Sequence, residues 1–133
     1  MTTLNTSRRI SVAIVDDDAS VRVSLQRLCE AFGVSAAVYA SGREFLSSLD
    51  AGPRADCLLL DAQMPEMNGF ELRRRLIARN VDIPTIIFTA DDAPELAAHY
   101  SATGIVAYLR KPLSSDELFA AIERAVSGSD TPL

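Results

Sequence analysis

Apolar residues arrive in short runs that alternate with longer segments of helical period. Residues 10–15 form a first strand-sized run. Val21, Leu25, Leu28, Cys29 and Phe32 then recur as one face of an amphipathic helix, which Gly33 closes. Residues 35–40 read as a second, weaker strand, and Ser41-Gly42-Arg43-Glu44 is a capping box that opens a short helix with Phe45, Leu46 and Leu49 inward. Residues 57–60 are continuously apolar, as suits a strand covered on both faces. After a loop from Asp61 to Gly69, Phe70, Leu72, Leu76 and Ile77 mark a third helix whose other face carries Arg73, Arg74, Arg75 and Arg79. Residues 84–88 are the fourth strand. Asp92-Ala93-Pro94-Glu95 is a further cap signature, with proline in the first turn where its missing N–H costs nothing. The helix that follows has only Leu96 and Tyr100 as large apolar residues, so it is expected to be the most weakly held. Residues 105–109 make the fifth strand, and Ser114-Ser115-Asp116-Glu117 caps a last helix with Leu118, Phe119, Ile122 and Val126 inward. This strict alternation predicts an α/β fold, (βα)5, with a doubly wound parallel five-stranded sheet and right-handed crossovers. The expected organisation is an extended or disordered segment over 1–9, one domain over 10–127 and a flexible polar tail over 128–133.

Composition narrows this picture. A chain of 133 residues is one domain, and 48% apolar with 23% charged residues is the balance of a folded globule. The net charge of −5 argues against a general nucleic-acid or anionic-membrane surface. Cys29 and Cys57 sit in apolar runs without metal-ligand spacing, which reads as two buried thiols. No run approaches the ~20 apolar residues of a membrane span, and the polar N-terminus is not a signal peptide, so the cytoplasm is the expected location. The chain uses arginine 12 times and lysine once, so any chemistry needing an ammonium falls to Lys111.

In open parallel sheets ligands sit beyond the carboxyl ends of the strands. The first strand runs into Asp16-Asp17-Asp18, the third into Asp61, the fourth into Thr89 and the fifth into Arg110-Lys111-Pro112. Clustered carboxylates repel unless a cation intervenes, and oxygen-only ligation with room for water is what Mg2+ takes. Asp18, adjacent to the helix start, reads as a helix cap instead. Lys111 is a compact charge suited to a phosphoryl oxygen or carboxylate. Pro112 restrains it to extended geometry and is a candidate for a cis bond. Thr89 reads equally as a hydroxyl donor or as a strand-forming residue.

The segments IVDDD, LLLDAQMPEMNG, IIFTA and YLRKP, in that order and separation, resemble the response-regulator receiver domain of bacterial two-component signalling, over residues 10 to about 126. The resemblance implies the flavodoxin-like strand order 2-1-3-4-5. It implies Asp61 as phosphoacceptor, taking a phosphoryl group from a phosphohistidine of a sensor histidine kinase or a histidine phosphotransfer protein. Asp17 would ligate Mg2+ directly, Asp16 mostly through water, and Asp61 and the Gln63 backbone carbonyl would complete the protein ligands, with Mn2+ a substitute metal. Thr89 and Lys111 would bind the phosphoryl group, and Tyr108 matches the aromatic whose rotamer follows Thr89. Gln63 and Asp91 stand where dephosphorylation is tuned. Phosphorylation would reposition the surface made of the fourth helix, fifth strand and fifth helix, changing partner binding and permitting a homodimer there. Ala107 and Ile105 depart from the family's usual smaller or acidic residues, and Asp91 and Asp92 add negative charge near the site.

A haloacid-dehalogenase-type phosphatase shares an Asp-x-Asp after a strand, but needs a further acidic pair after its lysine. Here only Asp116 and Glu117 follow, at a helix start. A flavodoxin-type carrier would want a Gly/Ser/Thr phosphate loop where this chain has three aspartates. The resemblance implies a phosphorylated switch and not a turnover enzyme. The arginines of the third helix read as a solvated face, with Glu71 pairing Arg75, and not as a DNA surface. A stand-alone receiver acting on an unidentified output partner is the expected form, and the N-terminal receiver of a DNA-binding transcriptional regulator is the alternative.

Overall fold

The computed structural model describes residues 9–51, 54–90 and 94–130. Five strands, β1 (Ser11–Val15), β2 (Ser35–Tyr39), β3 (Cys57–Asp61), β4 (Thr85–Thr89) and β5 (Ala107–Arg110), alternate with five helices. The helices are α1 (Ala19–Ala31), α2 (Gly42–Ser48), α3 (Gly69–Ala78), α4 (Pro94–Ser101) and α5 (Ser115–Asp130). All neighbouring strands pair in parallel, in the order β2-β1-β3-β4-β5.

Because side chains alternate along a strand, each central strand feeds two cores. Val12, Ile14, Cys57, Leu59, Ile86 and Phe88 pack on one face with Leu25, Cys29, Leu118 and Ile122 of α1 and α5. Ala13, Val15, Leu58, Leu60 and Ile87 pack on the other with Phe45, Leu72, Leu76 and Tyr100 of α2, α3 and α4. Every residue of β3 and β4 is buried, which is what their unbroken apolar runs require. Cys29 and Cys57 are free and buried, and burial pushes their thiols up to about 11 and about 12.

The cap signatures fold as expected where they are described. Ser41 Oγ accepts from the Glu44 N–H at 3.0 Å and Ser114 Oγ from the Glu117 N–H at 3.0 Å. Gly33 closes α1 at φ 81°, in the left-handed region. The Asp92 cap, Asp91, residues 1–8 of the N-terminal segment and residues 131–133 of the tail lie outside the described residues.

α5 continues to Asp130, and Gly128 within a helix costs only about 1 kcal/mol. One expectation is corrected. In α3 the inward positions are Gly69, Leu72, Arg73 and Leu76, while Ile77 is 50% exposed. Arg73 thus lies inside the helix face that was expected to be outward. Its aliphatic stem fills the i+4 position after Gly69, and its guanidinium donates to Thr85 Oγ1 at 3.4 Å and to the Thr103 carbonyl.

Candidate functional site

The order β1-β3-β4-β5 sets four strand ends side by side, and strands about 4.8 Å apart bring their terminal side chains into contact range. Asp16 follows β1 directly and is fully buried, and Asp61 ends β3 at 4% exposure. Asp17 is exposed. One carboxylate oxygen from each of Asp16, Asp17 and Asp61 lies within 4.8 Å of the others, a grouping able to hold a metal ion. Hard oxygen donors of this kind, with one of the three open to water, suit Mg2+.

Lys111 Nζ lies 3.2 Å from Asp16 Oδ2 and 3.5 Å from Asp61 Oδ1. Its backbone N–H donates to the Thr89 carbonyl at 2.8 Å, its Nζ stands 5.0 Å from the centre of the Phe88 ring, and the Lys111–Pro112 bond is cis. Asp16 is held on both sides. Its Oδ1 accepts from the Asp18 N–H and its carbonyl from Arg22 Nη1, both at 2.8 Å. Asp18 itself caps α1 through the Ser20 N–H at 2.9 Å, as its place beside the helix suggested.

Burial and the neighbouring Asp16 carboxylate push the Asp61 carboxyl up to about 6, with Lys111 and the Gln63 N–H pulling the other way. Burial alone would lower the Lys111 ammonium, but Asp61 and Asp16 raise it above its ordinary value. The lysine therefore stays charged beside two acids that compete for it. Gln63 donates its backbone N–H to Asp61 Oδ1 at 3.3 Å.

Thr89 is fully buried at the end of β4. Tyr108 lies one strand further out, partly buried against the α3–α4 core, with its ring centre 6.0 Å from that of Tyr100. The structure thus gathers Asp16, Asp17, Asp61 and Lys111 into one cluster, sets Thr89 on the adjoining strand end and places Tyr108 on β5. Sequence reasoning missed the polar role of Tyr100, which periodicity marks only as a core residue. Its hydroxyl donates to the Ala62 carbonyl at 3.0 Å, next to Asp61.

The model of the response regulator receiver domain family matches residues 12–123. The chain belongs to this family. Among curated relatives, the DNA-binding transcriptional regulator NtrC of Salmonella typhimurium is 37% identical over 116 residues, 87% of this chain and 24% of that protein. The transcriptional regulatory protein FixJ of Bradyrhizobium diazoefficiens is 33% identical over 115 residues, 86% of this chain and 56% of that protein. The crystal structure of FixJ-N superposes with a TM-score of 0.84 at 32% identity, covering 95% of this chain and 99% of that one. The receiver therefore spans about a quarter of the NtrC relative's length and just over half of FixJ's. It is a response-regulator signalling domain, and the strand order that the resemblance implied is the one observed.

Proposed function

We propose that this receiver is the phosphoacceptor of a two-component system or phosphorelay, with Asp61 as the acceptor. The observation that carries this reading is the Asp16–Asp17–Asp61 cluster, with Lys111 Nζ 3.2 and 3.5 Å from its two buried members. An Asp61 carboxylate oxygen attacks the phosphorus of a phosphohistidine on a sensor histidine kinase or histidine phosphotransfer protein. The P–O bond forms as the P–N bond breaks, and the departing imidazole keeps the electron pair and takes a proton from solvent. Asp17, Asp61 and the Gln63 carbonyl, with Asp16 mostly through water, would hold Mg2+, which would supply the positive charge that lets one anion approach another.

The chain's own residues do the rest. Lys111 pairs with the transferred phosphoryl oxygens, exchanging carboxylate partners for a stronger anion. Thr89 donates its hydroxyl to the same group, and Tyr108 turns into the space that Thr89 leaves. The added charge of roughly −1.5 to −2 favours the packing that satisfies it, shifting the α4-β5-α5 surface. Gln63 and Asp91, two residues after Asp61 and Thr89 in the sequence, tune the rate at which the acyl phosphate is lost. This is a switch and not a turnover enzyme, and it works in the cytoplasm. Among the described residues no helix is long and apolar enough to cross a membrane.

The output acts through protein contact on α4-β5-α5, including self-association there, without direct nucleic-acid binding by this domain. A second reading of the output, a receiver preceding a DNA-binding region, is supported by relatives of which this chain matches only a part. Incubation with acetyl phosphate tests the chemistry. A base-labile phosphoprotein should form with Mg2+ or Mn2+ and fail to form in EDTA or in Asp17→Asn, whereas equal labelling in EDTA contradicts the metal assignment.

A further inference from the structure

Tyr100 lies in α4, outside the residues assigned to the site, and is fully buried. A buried phenol needs a partner for its hydroxyl, and here the partner is the Ala62 carbonyl at 3.0 Å. Ala62 is a node between elements. Its N–H donates to the Phe88 carbonyl at 2.9 Å, and its carbonyl also accepts from the Gly69 N–H at 3.1 Å. A carbonyl oxygen has two lone pairs, so one is engaged from α3 and the other from α4. The fit is close. A Cβ on Gly69 would stand 2.8 Å from Tyr100 Oη and 2.8 Å from the Asp61 carbonyl oxygen.

The Ala62 carbonyl and the Gln63 N–H belong to one planar trans peptide unit and point in opposite directions. Holding one end aims the other, and the Gln63 N–H donates to Asp61 Oδ1 at 3.3 Å. We propose that Tyr100 is a positioning residue for the phosphoacceptor: through the Ala62–Gln63 peptide its hydroxyl aims the amide that orients the Asp61 carboxylate. Oδ1 is also the oxygen 3.5 Å from Lys111, so amide and ammonium converge on one oxygen and fix the carboxylate's rotation. The Tyr100 contact ties α4 to that rotation, and the coupling is reciprocal: displacing α4 loosens Asp61, and reorienting the peptide loosens α4. The inference rests on Asp61 being the acceptor.

Tyr100→Phe keeps the ring and removes only the hydroxyl. Amide hydrogen exchange at Gln63 should accelerate at least threefold, and the maximal phosphorylation rate with acetyl phosphate at saturating Mg2+ should fall three- to tenfold, the range of one ordinary hydrogen bond. Ser48→Ala is the control for stability. It removes a bond of 2.6 Å to the Phe45 carbonyl in α2 and should change neither readout. If Tyr100→Phe lowers the melting temperature but leaves Gln63 exchange or the phosphorylation rate at wild-type values, the proposal is overturned. If the wild-type chain takes up no phosphoryl group, the functional reading fails separately. Gln63 exchange alone then decides the positioning role, with acceleration supporting it and no change refuting it.

Discussion

Asp61 and Lys111 show what burial does to single charges at this site. An aspartate held up to about 6 in the folded chain, against 3.8 as its ordinary value, binds more protons folded than unfolded between those pH values. Stability of the metal-free protein therefore falls as pH rises through that window, and the full penalty stands above about 6. The penalty is at most about 3 kcal/mol. Asp61→Asn should accordingly raise the melting temperature in EDTA by several degrees at pH 7.5 and by little at pH 4. A variant that melts lower than wild type at pH 7.5 in EDTA would contradict the account. Lys111 has the opposite sign. Removing it leaves fully buried Asp16 and nearly buried Asp61 without their cation. Lys111→Ala should lose on the order of 2 kcal/mol in EDTA, and less in Mg2+, because a bound metal ion replaces the missing charge. Chemical denaturation with and without Mg2+ measures that difference, and equal losses in both would contradict it. Asp16, Asp61 and Thr89 were legible as candidates because each is a polar residue abruptly ending an apolar strand. The geometry that a backbone carbonyl imposes on Tyr100 leaves no such mark, since its side-chain spacing reads as core.

At the scale of elements, α3 shows where periodicity misleads. Phe70, Leu72, Leu76 and Ile77 fit a helical face, but the helix turns so that Arg73 goes in and Ile77 goes out. A long aliphatic stem can be buried if its head finds carbonyl and hydroxyl oxygens. Thr85 and Thr103 supply them from β4 and the segment after α4, neither of which local sequence reveals. Burial lowers the Arg73 guanidinium, opposed by Asp82, so the placement has an electrostatic cost. Arg73→Ala should therefore lose about 2–3 kcal/mol through lost packing and unpaired partners, whereas Ile77→Ala should lose under about 1 kcal/mol. Urea denaturation of the two variants checks the order. A larger loss for Ile77→Ala would restore the face that periodicity suggests. By contrast α2 and α5 were legible at their starts, because the Ser41 and Ser114 caps act within one turn. The end of α5 was not, because Ser127, Gly128 and Ser129 are poor helix formers that do not by themselves stop a helix.

For the whole molecule, strict alternation of runs determines a parallel sheet, but it does not determine strand order. The order matters most for function. With β3 between β1 and β4, Asp61 meets Asp16 on one side and has Thr89 on the adjoining strand end on the other. Only the resemblance to receivers implied that order, and the observed topology agrees with it. The net charge of −5 likewise acquires a location, with three carboxylates gathered where the single lysine of the chain reaches two of them. The central claim is that Asp61 takes the phosphoryl group, and intact-mass analysis after incubation with acetyl phosphate and Mg2+ tests it most directly. Wild type should gain a single phosphoryl adduct that hydroxylamine removes, and Asp61→Asn should gain none. An adduct that persists in Asp61→Asn, or steady phosphate release that survives Asp61→Asn but not Asp16→Asn, would contradict the account.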